Sequence, residues 1–325
     1  MKTLLRFVLS AIRLFAGVIA LGAALALGAA QGGRFSDRLD VITHFTPILL
    51  GLAAVALVLW VLAGGRRLAR PTPILVGIAV VCAAGLMIPE LSRPASAPPP
   101  AEGETIKLVQ FNVWGRSGHP KGMLEWIIAQ DADIVVIEEG FGASRGVTKA
   151  LRKHFPYNTS CAEPRGCSTI VFSKFKPVEE RGLARPPSAL TGALATYETS
   201  RGRFSVVGVH YTWPIPAGPQ QQQTRRLAEV LDPLPRGSTI VAGDFNSTPW
   251  SFSLRRQDRR FGLERRTRAL PSWPAAKVSR YKIGLPFPVL PIDHVYAGSD
   301  WKTVSVERGP ALGSDHFPIV VTLRR

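Results

Sequence analysis

The chain has 325 residues, a formal net charge of +17 and three cysteines. It contains no CxxC pair and no Cys/His spacing of the kind that holds structural zinc. The composition changes near residue 100, from a part rich in Ala, Leu, Val, Ile and Gly to an ordinary globular mixture. Basic residues exceed acidic ones in both parts, which favours anionic partners such as phosphate groups, nucleic acid or acidic lipid headgroups.

Three apolar stretches, residues 4–30, 41–63 and 73–88, occupy most of the amino-terminal part. A helix needs about 20 apolar residues to cross a bilayer, so the first two stretches are long enough and the third is short. We predict three transmembrane helices within residues 1–90. The alternative for the first stretch is a cleaved signal peptide, because Lys2, Arg6 and Arg13 accompany an apolar run that ends in small residues.

The positions of the arginines predict the orientation of these spans, since Lys and Arg are retained on the cytoplasmic side. Basic residues begin the first span, and Arg66, Arg67 and Arg70 fill the turn between the second and the third. Arg34 and Arg38 in the other loop weaken this asymmetry. Three spans from a cytoplasmic N-terminus would place everything after residue 90 outside the cytoplasm.

The cysteines provide an independent indication of the compartment. Cys82 lies inside the third apolar stretch as a filler, whereas Cys161 and Cys167 bracket a short segment that contains Pro164 and Gly166. A loop this tight can close a disulfide, which suits an oxidising compartment. Two unpaired thiols are the alternative.

Residues 91–103 form a Pro-rich linker that we expect to be extended, and residues 104–325 alternate β-rich and helical segments. Strands are predicted at residues 105–114, 133–139, 168–174, 194–198, 203–211, 238–246, 293–297, 303–307 and 318–323. Helices are predicted at residues 121–129, 145–154, 221–231 and 251–260. Several strands are apolar on both faces, as buried strands are. The pattern predicts two packed sheets with helices outside, an α/β sandwich.

Polar side chains interrupt the apolar runs at the points where the strands end. They are Asn112, Glu138, Glu139, His210, Asp244 and Asn246, joined by Asp293, His294, Asp315 and His316 from two later segments. Each of them alone is typical of a turn or of a structural residue. As a set they predict one polar cluster at an edge of the sheets.

These motifs, in this order, resemble the endonuclease/exonuclease/phosphatase superfamily, which has the DNase I-like fold. The matching segments are QFN (110–112), IEE (137–139), VHY (209–211), GDFN (243–246), IDH (292–294) and SDH (314–316). The resemblance covers about residues 105–323, and the GDFNSTPWS run with amino-terminal spans is similar to bacterial membrane-attached members. It implies a four-layer αββα sandwich preceded by an all-α transmembrane region. It also implies a multi-pass protein of a bacterial inner or plasma membrane, with a periplasmic or extracytoplasmic catalytic domain.

The resemblance and the donor chemistry together imply a divalent cation, Mg²⁺ or Mn²⁺. Such hard cations take carboxylate and amide oxygens and keep open positions for water. Glu139, Asp315 and Asn112 are the predicted metal residues. Glu138 stands where the family usually has an uncharged polar residue, so the doubled acid leaves two choices and Glu139 is the preferred one.

The remaining residues of the set are predicted to be catalytic. Asp244 would orient or deprotonate the attacking water, and Asn246 would bond a phosphate oxygen. His316 paired with Asp293 would present a charged imidazole, and His210 would complete the clamp on the phosphate oxygens. The neighbouring histidine of the IDH segment is expected to be structural.

A run of arginines follows the GDFN segment and offers a collar for an anionic substrate or for lipid headgroups. Arg255, Arg256, Arg259 and Arg260 are the predicted substrate-binding members, and Arg265, Arg266 and Arg268 extend the run. The alternative is a solvated basic helix face. Nearby aromatic residues permit nucleic-acid stacking without requiring it.

The sequence therefore predicts a membrane-anchored, divalent-metal-dependent hydrolase of phosphate esters with a phosphodiesterase or endonuclease-like activity. The alternatives are a phospholipid or phosphoinositide phosphoesterase, similar to a sphingomyelinase, and a non-catalytic membrane-tethered scaffold. A transporter is disfavoured because most of the chain is soluble and the spans lack acidic residues. The predicted partners are a phosphate-ester substrate, either nucleic acid or lipid headgroup, and the membrane; no protein partner is inferred.

Overall fold

The computed structural model of the protein describes residues 1–65, 70–94, 96–117, 120–161, 169–183, 190–275 and 287–325. The chain divides into two compact units. The first contains Met1–Arg93 together with Thr248–Arg255, and the second contains Pro94–Ser247 and Arg256–Arg325. The short segment of the first unit that comes from late in the chain was not indicated by any sequence pattern.

The amino-terminal part of the first unit is helical. Its helices are α1 (Lys2–Ala30), α2 (Asp37–Thr43), α3 (Thr46–Leu62) and α4 (Pro71–Leu91), with a 3-10 turn at Gln31–Arg34. Buried alanines such as Ala16, Ala20 and Ala53 lie where helices meet, and small side chains allow helix backbones to approach closely. The apolar residues of α1, α3 and α4 point largely outward, since many of their Leu, Val and Ile side chains are exposed.

Two of these helical segments, Lys2–Arg34 and Pro71–Leu91, are long and apolar enough to cross a membrane. The helices α2 and α3 pass the same test together but are bent by 56° at the break between them. The described residues thus contain two candidate spans, or three if the bent pair counts as one. The second predicted span, residues 41–63, is this bent pair rather than a single straight helix.

The second unit contains both β-sheets. In chain order its described strands are β1 (Thr105–Asn112), β2 (Ile134–Glu138), β3 (Tyr157–Ser160), β4 (Ile170–Ser173), β5 (Pro177–Leu183), β6 (Thr191–Thr199), β7 (Gly202–His210), β8 (Thr239–Asp244), β9 (Glu264–Arg265), β10 (Asp293–Ala297), β11 (Lys302–Arg308) and β12 (Ile319–Arg324). The helices are α5 (Pro120–Ala129), α6 (Arg145–His154), α7 (Ala217–Leu231) and α8 (Phe252–Phe261), the last of which starts in the segment assigned to the first unit.

Each sheet is mixed. The order in one is β11-β12-β1-β2-β4-β3 and in the other β5-β6-β7-β8-β10-β9. The central pairs β1–β2 and β7–β8 are parallel, and their other neighbours run antiparallel. Fully buried side chains from both sheets, among them Leu108, Val136, Val206, Ile240 and Val295, form one apolar core. The two sheets therefore pack face to face as a sandwich.

Helices cover the outer faces of the sandwich. Phe111 on β1 packs with Met123 and Ile127 of α5 and with Val147 and Leu151 of α6 in a second buried cluster. On the other sheet α7 buries Leu227 and Leu231, and the ring of Phe261 on α8 contacts Tyr296 with centroids 6.1 Å apart. The predicted four-layer αββα sandwich is confirmed.

The strands that the sequence pattern did not predict are β3, β5 and β9. β3 reads YNTS, β5 reads PVEERGL with mostly exposed residues, and β9 has only two residues. None of them has the apolar run or the alternation that marks a strand. Cys161 is disulfide-bonded, and Cys167 lies outside the described residues, so the pairing of these two cysteines stays a prediction.

Candidate active site

Strand register brings the polar residues of the second sheet together. His210, the last residue of β7, pairs with Asp244, the last residue of β8. Asp244 also pairs with Asp293, the first residue of β10. In the other sheet Asn112 ends β1 beside Glu138 at the end of β2. Because parallel strands finish at the same edge, these side chains collect there, as the sequence predicts.

Two of the site residues have left-handed backbone conformations. Glu139 has a φ of 54° and Asn246 a φ of 46°. Such conformations are uncommon for residues other than glycine and are found at sites whose surroundings enforce them. Only glycine fits at position 243 of the same segment, because a Cβ on Gly243 would lie 1.8 Å from the carbonyl oxygen of Val209. The backbone of the GDFN segment is therefore fixed in an uncommon conformation by its surroundings.

Asp244 is the centre of the cluster. Its side chain is 1% exposed, and Oδ2 accepts a hydrogen bond of 3.0 Å from Nδ2 of Asn112. The same oxygen lies 3.7 Å from Nε2 of His210 and 3.6 Å from Nε2 of His316. Oδ1 accepts from the backbone N–H of Asn246 at 2.8 Å. Burial raises the pKa of the Asp244 carboxyl above its usual range, against the opposing charge of His316.

His316 and Asp293 form a buried acid–imidazole pair. Nδ1 of His316 lies 2.8 Å from Oδ2 of Asp293, which is fully buried. Burial alone would lower the pKa of His316, but the charges of Asp293 and Asp244 raise it well above its ordinary value. Burial alone would raise the pKa of Asp293, but the charge of His316 and its hydrogen bond lower it. The two shifts favour the ionised pair, a carboxylate next to an imidazolium.

Gln110 is a site residue to which sequence reasoning assigned no role. Its Nε2 donates to Oε2 of Glu138 at 2.9 Å and to Oδ1 of Asp293 at 2.8 Å, so that one amide bridges two buried acids. The sequence feature that could have identified Gln110 is its polar amide within the apolar run LVQF (108–111). Burial raises the pKa of Glu138 well above its usual range, and the charges of Asp293 and Asp244 add to this effect.

The two adjacent glutamates have separate environments. Glu138 is fully buried between the sheets, whereas the side chain of Glu139 is 25% exposed and points into the cluster. Oε1 of Glu139 accepts from Nδ2 of Asn112 at 3.2 Å and lies 3.9 Å from Nε2 of His210. Oε2 accepts from the backbone N–H of Gly115 at 3.2 Å. Glu139 is thus the acid that faces the site.

Two of the three predicted metal residues, Glu139 and Asp315, offer carboxylate oxygens of the kind that a hard divalent cation takes. The amide oxygen of the third, Asn112, already accepts the backbone N–H of Trp114 at 3.0 Å. Glu139 and Asn112 are in contact, and Oδ1 of Asp315 is a buried oxygen without a hydrogen-bond partner among the described residues. Burial raises the pKa of Asp315; His316 opposes the shift and the nearby charge of Glu139 adds to it. A cation would relieve both the unpaired oxygen and the repulsion between the carboxylates.

A second group, Asp244, Asp293 and His316, has ligand atoms within 4.8 Å of one another. In this trio Nδ1 of His316 and Oδ2 of Asp293 are already bonded to each other at 2.8 Å. A histidine that donates through Nδ1 can still bind a metal through Nε2, but only as the neutral ring, and the raised pKa of His316 favours the protonated ring. Proton and charge chemistry at this trio, and a cation at Glu139, Asn112 and Asp315, stay predictions.

His294 lies outside the cluster. Its Nε2 is 2.8 Å from the carbonyl oxygen of Ser247 and its Nδ1 is 3.3 Å from Oγ1 of Thr267. Burial lowers the pKa of His294 to about 3, and the charge of Arg265 adds to the shift. Both ring nitrogens are occupied by structural contacts, so this neutral ring supports the fold.

The arginine run does not form one collar around the acids. Arg265 is buried against Asp258 at 3.1 Å. Arg266 is also buried, and it donates to the carbonyl oxygens of Ala297, Gly298 and Trp301. The interpretation of these two arginines as part of a substrate collar was wrong, because their guanidinium groups stabilise the interior.

The four arginines predicted to bind substrate lie on α8. Arg256 and Arg259 are exposed, and Arg255 donates to the carbonyl oxygens of Leu86 and Pro249. Arg260 pairs at 3.1 Å with Asp232, which caps the C-terminal end of α7. The opposite end of α7 holds Gln220, whose Nε2 lies 3.4 Å from the carbonyl oxygen of Asn246. Arg260 is thus separated from the cluster by most of a helix roughly 20 Å long.

An exposed aromatic side chain lies close to the predicted metal residues. Trp213, in the loop after β7, is 50% exposed and meets Trp273 edge to face with ring centroids 6.0 Å apart. Nε1 of Trp273 is 3.5 Å from Oδ2 of Asp315. The pair forms an aromatic wall that begins at an acid of the site and ends in solvent.

The fold and the cluster define a class of two-sheet α/β sandwiches with an acid–imidazole site at the ends of the central strands. Residues 109–316 match the family model described as the Endonuclease/Exonuclease/phosphatase family. The match covers more than half of the chain, and the protein belongs to this family. No curated protein matches the chain.

Solved structures support the same fold. Sphingomyelinase C from Streptomyces griseocarneus has 18% identity and a TM-score of 0.51, over 67% of this chain and 99% of its own. A beta toxin variant from Staphylococcus aureus with bound magnesium ions has 14% identity and a TM-score of 0.51, over 67% and 99%. A humanized TDP2 of D. rerio has 16% identity and a TM-score of 0.51, over 68% and 99%. At these identities the likeness concerns the fold alone.

Proposed function

We propose that this protein is a membrane-anchored, divalent-metal-dependent hydrolase of phosphate esters that acts on phosphodiesters. The observation that carries the proposal is the position of the Asp244 carboxylate, within 4 Å of the imidazoles of both His210 and His316. A buried acid between two imidazoles provides a base, the imidazole of His316 that Asp293 keeps cationic, and the second imidazole of His210 around one small volume. The family match supports phosphoester chemistry at this volume.

Asp244 is proposed to activate water. Burial raises the pKa of this carboxyl, which makes it a stronger base than an exposed aspartate once it is ionised. The contacts from Asn112 and from the backbone of Asn246 hold the carboxylate in one orientation. Asp244 would take a proton from water as the water oxygen attacks phosphorus and the ester bond breaks.

The groups around Asp244 are proposed to bind the phosphate. His316 is kept cationic by Asp293 and would face negative charge as it develops on the phosphate oxygens. His210 would contact a second oxygen from the end of β7. A cation held by Glu139, Asn112 and Asp315 would supply Lewis-acid neutralisation of the phosphate charge.

The aromatic wall formed by Trp213 and Trp273 favours a diester with a planar or apolar group beyond the phosphate. The indole of Trp213 is half exposed next to the charged site. Binding such a group would remove little favourable hydration from this ring and would add apolar contact area. A nucleobase and a lipid backbone both satisfy this requirement. The phosphodiester is the chemistry that the two sources share, and the assay below separates them.

The amino-terminal helices are proposed to anchor the protein in a bacterial inner or plasma membrane by three spans, with the catalytic unit on the periplasmic or extracytoplasmic side. The two candidate spans and the bent pair support the number of crossings. The basic residues near the start of α1 and before α4 support the orientation.

The proposal is tested on the full-length protein in lipid nanodiscs. Plasmid DNA, RNA, bis-p-nitrophenyl phosphate, sphingomyelin and phosphoinositides are offered with Mg²⁺, Mn²⁺ or EDTA. His316→Ala is compared with His154→Ala, which removes an exposed histidine at the end of α6. We expect turnover that requires a metal, persists in the His154 variant and is lost in the His316 variant.

The outcomes separate the alternatives. Turnover of DNA or RNA alone identifies a nuclease, and turnover of sphingomyelin or phosphoinositides alone identifies a lipid phosphoesterase. Turnover that survives in His316→Ala contradicts the assignment of the site. A folded protein that hydrolyses nothing on the panel, with every metal, refutes phosphodiester hydrolysis and favours a non-catalytic scaffold.

A further inference from the structure

A buried aspartate in α2 caps a helix whose sequence lies more than 200 residues away. Asp40 is 2% exposed. Its Oδ1 accepts the backbone N–H of Phe252 at 2.8 Å, and its Oδ2 accepts the backbone N–H of Ser253 at 2.7 Å. These are the first two residues of α8, whose amides have no partner inside the helix. A carboxylate at this position satisfies both donors and interacts favourably with the helix dipole.

A buried histidine binds the same segment four residues earlier. Nδ1 of His44 lies 3.1 Å from the backbone nitrogen and 3.1 Å from Oγ1 of Thr248. A backbone N–H can only donate, so Nδ1 is an acceptor and the ring hydrogen is on Nε2. His44 is 6% exposed and Thr248 is fully buried. The hydrogen bonds are therefore shielded from water, and the loss of an acceptor would leave a buried donor unpaired.

The packing around these contacts leaves no spare room. A Cβ on Gly33 would lie 2.8 Å from Cα of Asp40 and 2.9 Å from Cδ2 of Phe252. Trp250 is 3% exposed and Ser251 is fully buried. The segment Thr248–Arg255 accordingly belongs to the same compact unit as Met1–Arg93. All these contacts lie within that first unit.

The segment held in this way begins at Thr248, two residues after the end of the GDFN segment (243–246), which is the proposed catalytic loop. Asn246 has a left-handed φ of 46°, and its backbone N–H binds Oδ1 of Asp244 at 2.8 Å. Such a conformation persists only where the surrounding structure holds it. Tyr211 and Gln220 hold Asn246 from within the second unit. The chain that follows Asn246 is fixed by His44 and Asp40.

We infer that Asp40 and His44 are positioning residues for the catalytic loop, on which they act through the segment Thr248–Arg255 of their own unit. Neither residue touches the acid–imidazole cluster. They act by fixing Thr248 and the start of α8, which restrains Asn246 and, through it, the Asp244 carboxylate. The inference rests on the proposed function for its kinetic consequence, and its structural part can be measured separately.

The test uses full-length protein in nanodiscs and two variants that remove an acceptor, Asp40→Ala and His44→Ala. His44→Asn is the conservative variant, because the Oδ1 of Asn replaces Nδ1 as acceptor. Asp37→Asn, which removes an acid in the first turn of the same helix, is the matched control. We expect kcat on bis-p-nitrophenyl phosphate with Mg²⁺ to fall by about 10- to 100-fold in both alanine variants, while KM changes little. His44→Asn and Asp37→Asn should stay close to wild type.

Hydrogen exchange followed by mass spectrometry reports the structural part without any turnover. In both alanine variants the amides of residues 246–253 should exchange about tenfold faster, whereas the peptides of β1 and β2 should be unchanged. If the wild-type protein proves inactive on every substrate, this result still supports the positioning role, and only the proposed function fails.

Three results would overturn the inference. The first is unchanged exchange in residues 246–253, which would mean that the cap does not restrain the loop. The second is faster exchange there with an unchanged kcat in an active protein, which would mean that catalysis tolerates a released loop. The third is faster exchange in the β1 and β2 peptides together with failure of His44→Asn to restore activity, which would indicate general unfolding.

Discussion

Replacement of Asp293 by Asn tests the acid–imidazole pair with a change of only one atom. The aspartate accepts two hydrogen bonds, from Nε2 of Gln110 at 2.8 Å and from Nδ1 of His316 at 2.8 Å. An Asn side chain has one oxygen and one NH₂ group. One of the two donors must then face another donor, and His316 loses the charge that keeps it cationic.

The magnitude follows from the burial of the pair. Removal of one partner from a buried ion pair costs about 3–5 kcal/mol. In the folded resting state part of this free-energy cost is offset. The charge of Asp293 also repels the acids Glu138 and Asp244, and this repulsion disappears in the variant. The transition state requires a cationic His316, and the loss of that repulsion does nothing to keep His316 charged. At about 1.36 kcal/mol per factor of ten, kcat should fall by about 10²- to 10⁴-fold, and Tm should fall by less than the loss of a whole buried ion pair would cause.

The assay measures kcat and KM for bis-p-nitrophenyl phosphate between pH 5 and 10, with Tm as a check on folding. The raised pKa of His316 means that the active cation is present at low and neutral pH and is lost as pH rises through that pKa. Asp293→Asn lowers this pKa, so the alkaline limb of the rate profile should move to lower pH. Asp232→Asn, a surface acid that pairs with Arg236, is the matched control. Activity of Asp293→Asn within about threefold of wild type would refute the role of the pair.

The remaining predictions concern the metal residues, the aromatic wall, the catalytic loop and the topology. Glu139→Gln should raise the Mg²⁺ concentration needed for half-maximal activity by about tenfold or more, whereas Glu125→Gln on the surface of α5 should not; equal metal titrations would contradict the assignment of Glu139. Trp213→Ala should raise KM for the natural diester by about tenfold and leave kcat nearly unchanged, and an unaltered KM would remove the aromatic wall from substrate binding. Gly243→Ala should prevent accumulation of folded protein, because its Cβ would lie 1.8 Å from a carbonyl oxygen. Gly218→Ala, where the new Cβ meets open space, is the control. Normal expression and Tm of the Gly243 variant would show that the loop can shift. An alkaline phosphatase fused to the C-terminus should be active and a green fluorescent protein dark; the reverse pattern would invert the proposed topology.

The acid–imidazole cluster illustrates what a pattern along the chain can reveal. His210, Asp244 and Asn112 each end an apolar run, and a run of β-branched residues predicts a strand regardless of what it packs against. Strand ends that carry acid, amide and imidazole groups meet at one edge of a sheet, so the cluster could be predicted before its geometry was known. The short edge strands β3 and β9 could not be predicted. Their polar residues form strands because they pair with neighbouring strands, and not because of their own strand propensity.

The doubled glutamate marks a position at which strand periodicity gives no prediction. Glu138 and Glu139 are adjacent in the chain and chemically alike, yet one is sealed between the sheets and the other faces the site. The left-handed backbone at Glu139 turns its side chain out of the strand alternation, and that turn depends on the contacts of Gly115 and Asn112. A period of two along a strand cannot distinguish neighbours at the residue where the strand ends.

The sequence by itself determined the sandwich class, and it predicted the two-part organisation and the residue types of the site, because these follow from local composition, periodicity and strand ends. Only the tertiary structure decided which side chains share a hydrogen bond. Gln110 bridges acids from both sheets, and Asp40 caps a helix that starts 212 positions later. Such contacts depend on which segments meet after folding, and a hydrogen bond between distant segments leaves no periodic trace in either one.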